Sequence, residues 1–103
     1  MAEQINQEQL ELQFEADLMV LYEEEKRRCL RSPQRFNQLL QRYGPVGTAR
    51  YLLDNPQIPS GFTDLVLCGC RELSVEALAL RPEYRSLFTE AQLARAHERI
   101  HGD

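Results

Sequence analysis

Apolar residues recur along this chain at three- and four-residue spacing, and almost nowhere at alternate positions. Leu10, Phe14, Leu18, Leu21 and Tyr22 make one continuous stripe, which predicts a helix starting a few residues in and running to about Leu30. Ser32-Pro33 reads as an N-cap followed by proline at the first helical position. The next helix then puts Phe36, Leu39, Leu40 and Tyr43 on one face, and Gly44 supplies a left-handed stop. Pro45 opens a third helix with Val46, Ala49 and Leu53 inward, ending before Asn55-Pro56. No period-two run is long enough for a strand.

The second half is shorter in its rhythm. Pro56 and Pro59 make residues 54–61 an ordered loop, because a helix cannot run through them. Phe62, Leu65, Val66 and Cys68 fit a short helix that stops near Gly69. Ser74 is an N-cap, flanked by Leu73 and Leu78 at the two positions of a hydrophobic staple; its helix runs to Arg81 and ends at Pro82. Thr89 and Gln92 form a capping box, and Phe88 can staple to Leu93. In this last helix Leu93, Ala96 and Ile100 are the expected inward stripe. The expectation is an all-α fold: a compact bundle of six or seven mostly short helices with a longer N-terminal one. Residues 1–103 make a single domain, with 1–8 as a frayed N-terminus.

The run Gly61-Phe62, Leu65, Arg71-Glu72-Leu73-Ser74-Val75-Glu76, Leu78, Leu80, Pro82, Tyr84, Leu87-Phe88 resembles a small uncharacterised all-helical domain of bacterial hypothetical proteins. Arg28-Cys29, Pro33, Phe36, Gly44, Ala49 and Leu52-Leu53 look like the same pattern continued upstream, so the resemblance covers most of residues 22–96. These are core and cap positions. They imply a fold and a bacterial origin, and carry over no activity. Cys68-Gly69-Cys70 and the two histidines depart from the pattern.

Composition changes this picture mainly through charge. With 103 residues, 43% hydrophobic and 27% charged, the chain is of ordinary globular make-up. The net charge of −4 hides a segregation: residues 1–25 hold eight acids and no base, and 26–50 hold seven bases and no acid. Glu23 with Arg27 and Glu24 with Arg28 are possible helical pairs, which leaves Arg31, Arg35, Arg42 and Arg50 as the candidate binding residues. They would grip either nucleic acid or an acidic partner, or dock against the acidic first helix. No apolar run approaches membrane-spanning length, and the acidic, polar start is unlike a signal peptide. Three cysteines without framework spacing, Cys29, Cys68 and Cys70, read as reduced thiols in a cytoplasm.

Two motifs invite metal chemistry. His97-Glu98-Arg99-Ile100-His101 matches HExxH, whose histidines one turn apart bind zinc while the glutamate activates water. It sits on the flank of the apolar stripe at the end of the last helix, where no walled cleft is expected. Cys68 and Cys70 could join the histidines at a structural zinc only if Gly69 breaks the helix between them; small buried thiols are the simpler expectation. Tyr43, Tyr51 and Tyr84 read as core-edge residues. The expected function is therefore a non-enzymatic protein–protein interaction module or small adaptor, without metal or cofactor and with another protein as partner. The alternative is a nucleic-acid-associated protein using residues 26–50. A third reading is a zinc-dependent hydrolase built on His97, Glu98 and His101.

Overall fold

The computed structural model describes residues 6–29 and 34–102, and all of their regular structure is helical. Five α-helices are present: α1 (Gln7–Cys29), α2 (Gln34–Asp54), α3 (Ser60–Cys68), α4 (Val75–Ala79) and α5 (Glu90–His101). Two 3₁₀ segments, Arg71–Leu73 and Pro82–Leu87, bracket α4. As expected, α1 is the longest, at 23 residues.

Its start at Gln7 falls inside the 1–8 segment foreseen as frayed, of which residues 1–5 lie outside the described residues. Asn6 caps it: the Asn6 side chain accepts from Gln9 N–H at 2.8 Å, and the Gln9 side chain accepts from Asn6 N–H at 3.3 Å. That reciprocal pair satisfies two backbone donors that a helix start otherwise leaves open. The Ser32-Pro33 helix start lies outside the described residues. At Gly44 the backbone turns to φ 75°, ψ 175°, a left-handed φ that glycine tolerates, and Pro45 restarts the helix. Helix α2 is thus two halves in series. Ser60 and Gly61, expected in the loop, already belong to α3.

The core forms where the stripes of α1, the second half of α2, α3 and α4 meet. Phe14 is fully buried at its centre, edge-on to Tyr84 at 5.1 Å and tilted against Phe88 at 5.7 Å. Such edge-to-face pairs add about 0.5–1.5 kcal/mol beyond the area they bury. Tyr84, expected at the core edge, is 0% exposed, because its hydroxyl finds the Asp17 carboxylate and needs no water.

Helix α4 is only five residues long and ends at Ala79, short of the expected Arg81. Its cap is nevertheless where the sequence places it, with Ser74 Oγ accepting from Ala77 N–H at 3.1 Å. The Thr89/Gln92 capping box at the start of α5 is also formed, with bonds of 2.9 and 3.1 Å.

The buried face of α5 differs from the expected one. Gln92, Ala96 and Arg99 are buried, while Leu93 and Ile100 are half-buried. The reason is polar. Helix α2 ends in Asp54-Asn55-Pro56 with no glycine to close its last turn, so its final carbonyls need donors from elsewhere. Arg95 donates to Leu53 O at 2.8 Å and to Asp54 O at 2.9 Å. Arg99 donates to Leu52 O at 3.0 Å, to Gln57 O at 3.2 Å and to Asn55 O. Gln92 reaches the Asp54 side chain at 2.9 Å.

Candidate functional site

Beside that polar junction the packing is incomplete. A groove of about 590 Å³ opens between α1, α2, α3 and the 55–59 connection. Its base is apolar, with Leu18, Leu21, Leu39, Phe62, Leu65 and Val75 contributing. All but Val75 belong to apolar spacings predicted from the sequence, and they point inward because helical spacing places them there. The proline-containing 55–59 connection, which is not helical, forms one side of the opening.

Aromatic rings stand on two sides of the opening. Tyr22 stacks on Phe36 at 5.8 Å, with Lys26 Nζ 5.0 Å from the Tyr22 ring centre. Tyr51 stacks on Tyr43 at 5.1 Å, and the Arg42 guanidinium lies 5.4 Å from the Tyr43 centroid. Gly47 stands between these two tyrosines on α2, and a Cβ there would come within 3.1 Å of Tyr43 Cβ. Beside them Ile58 is 58% exposed and Tyr51 39%.

One charged group reaches the groove from below. Glu76 is buried and bonded to Arg99 at 3.0 Å, with both side chains 3% exposed. Burial pushes the Glu76 carboxyl above its ordinary range, and the Arg99 guanidinium pulls partly against that shift. The carboxylate is therefore committed to the frame.

The three of the four arginines that lie among the described residues take separate environments. Arg35 is exposed and lines the groove, and Arg42 is exposed beside Tyr43. Arg50 is half-buried, donating from Nε to Leu87 O at 2.9 Å. Arg31 lies outside the described residues. Among the described residues, Asp17, Glu23 and Glu24 of α1 pair with Arg81, Lys26 and Arg27. Glu23 takes Lys26 rather than Arg27, Glu24 takes Arg27 rather than Arg28, and Arg28 crosses to Glu72 at 3.2 Å. The i,i+3 geometry near the end of α1 competes successfully with the i,i+4 pairs read from spacing.

His97, Glu98 and His101 are all exposed, with the two rings 4.5 Å apart. Among the described residues no third His, Cys, Asp or Glu ligand joins them. The buried member of the motif is Arg99, which sequence reasoning passed over.

The cysteines come together as the sequence did not foresee. Cys29 and Cys68 form a disulfide across 39 residues, in place of the expected free thiols, because the ends of α1 and α3 meet. Cys70 remains a buried free thiol. Gly69 does break the helix, at φ 77°, the condition stated for Cys68 and Cys70 to join the histidines at a zinc, but among the described residues neither His97 nor His101 lies with them. No helix among the described residues is long and apolar enough to cross a membrane. No protein family, curated protein or solved structure matches this chain.

Proposed function

We propose that this protein is a non-enzymatic interaction module that seats an amphipathic helix of a partner protein in the groove between α1, α2 and α3. The observation that carries this reading is the groove itself: an apolar base of about 590 Å³ with exposed Tyr51 and Ile58 at its mouth. Grooves of this kind take the i, i+3, i+4 and i+7 side chains of a helix. An open mouth edged by tyrosine suits a protein segment better than a small molecule, which would be mostly enclosed. Support for a non-enzymatic role comes from the lining, whose described residues include no His, Cys or Lys and whose one buried carboxylate is held by Arg99.

The nucleic-acid alternative has weaker support, since Arg50 is engaged by Leu87 O and the chain carries a net charge of −4. A photo-crosslinking residue at position 58 tests the proposal, with the same residue at Leu67 as an exposed control away from the groove. A partner helix crosslinked from 58 but not from 67, and lost on Tyr51→Asp, supports the reading. Equal labelling from both positions would end it.

A further inference from the structure

We propose that Cys29, Cys68 and Cys70, once reduced, form a three-thiolate site for a single thiophilic d¹⁰ ion, Cu⁺ or Zn²⁺. All three sulfurs lie within 4.8 Å of one another, and Cys70 Sγ is 3.5 Å from Cys68 Sγ. Metal–sulfur bonds of about 2.3 Å place thiolates roughly 3.8–4.0 Å apart around one ion; Cys70 already lies near that spacing from Cys68, and Cys29 and Cys68 reach it by moving apart once their disulfide is reduced.

Each ligand is anchored by a separate structural cause. Cys29 is the last residue of α1 and Cys68 the last of α3. Cys70 is returned toward Cys68 by a closed helix end: Gly69 N–H donates to Val66 O at 3.1 Å and Cys70 N–H to Leu65 O at 2.8 Å. That paired pattern, with its left-handed glycine, fixes the turn between the two cysteines. Ligands held by helix ends are better preorganised than ligands on a free loop.

The chemistry of the set narrows the ion. No imidazole or carboxylate joins the three sulfurs among the described residues. A sulfur-only set selects soft ions such as Cu⁺ and Zn²⁺ over Mg²⁺ or Ca²⁺.

The disulfide and the metal site are alternative states. Two thiols of a glutathione-type reductant supply two electrons and two protons to the Cys29–Cys68 bond and leave as their own disulfide. The three resulting thiols release up to three protons as the ion binds. A reducing compartment therefore favours the metal form. This departs from the metal-independence expected from sequence.

The test uses the full chain, reduced and freed of reductant without oxygen, then titrated separately with Zn²⁺ and Cu⁺ against chromophoric chelators. The expected result is one ion per chain, loss of three titratable thiols, and at least a hundredfold weaker binding in each of Cys29→Ser, Cys68→Ser and Cys70→Ser. Tighter Cu⁺ would mark a three-coordinate site, and tighter Zn²⁺ one completed by a further donor. Circular dichroism covers the case in which reduction unfolds the chain. Recovery of helicity on adding one equivalent of ion supports the site, whereas continued unfolding overturns it. Binding of neither ion, or Cys70→Ser binding as tightly as wild type, also overturns it.

Discussion

The two ends of α2 are finished in opposite ways. At its C-terminal end, four carbonyls from Leu52 to Asn55 accept from Arg95 and Arg99, and α5 is locked down by side chains with little freedom. Its N-terminal half carries Arg35 and Arg42 in solvent and leaves its apolar side facing the open groove. One end is closed by polar satisfaction, which demands fixed geometry. The other is left with apolar surface, which tolerates many arrangements of an incoming chain. If the groove seats a partner helix as proposed, that division lets the domain hold its shape while doing so.

The sharpest way to break the contrast is to remove one member of the buried pair. Arg99→Ala should cost about 3–5 kcal/mol, because it strands the Glu76 charge and opens the α2 carbonyls. Denaturant melts of Arg99→Ala, Glu76→Leu and the Arg99→Met/Glu76→Leu double variant would measure it. The double variant should lose less than the two singles combined; strict additivity would mean that the two groups do not act as a pair.

Next come the caps that frame α4 and α5. Ser74→Ala or Thr89→Ala should each cost about 0.5–2 kcal/mol, since both side-chain bonds to the backbone are formed. Unchanged midpoints in both variants would place the rigidity elsewhere.

A pH series probes the core end of the same frame. Burial, reinforced by the Asp17 carboxylate, pushes the Tyr84 hydroxyl from 10.0 up to about 12. An unfolded chain loses this proton near pH 10 while the folded one keeps it, so the contribution is complete below pH 10 and is lost as pH rises toward 12. Tyr84→Phe should flatten the fall in stability across that window; an unaltered slope would show that the phenol does not govern it.

The smallest effect belongs to the groove. Ile58→Asp should shift stability by no more than about 0.5 kcal/mol, as at an exposed site, while removing partner binding. A large loss of stability would mean that Ile58 belongs to the frame and not to the open face.

Much of this frame was legible in the chain before any coordinates. Gly44, Ser74, Thr89 and the α1 stripe act through their immediate neighbours, and local chemistry is what a sequence displays. Arg99 was hidden because a charged residue on a helix reads as solvent-facing. Only the unmet carbonyls of another helix 42–47 residues away draw it inward. The Cys29–Cys68 approach was equally remote, and nothing in the spacing announces that α1 and α3 end together. The groove is harder still, since it is defined by where packing stops. The charge block did point to an arginine-rich stretch, but it gave no indication that Arg50 would turn toward Leu87.

The Arg99 clamp has a consequence for how this molecule is made on the ribosome. Synthesis runs from the N-terminus, so α2 and Glu76 emerge well before the guanidinium that both require. Until residue 99 has cleared the exit tunnel, the carbonyls at 52–57 must stay hydrated and Glu76 must stay in water or carry a proton. The nascent chain therefore cannot close its interior early around the α2 end. Burial of the α2 end and of Glu76 waits for α5.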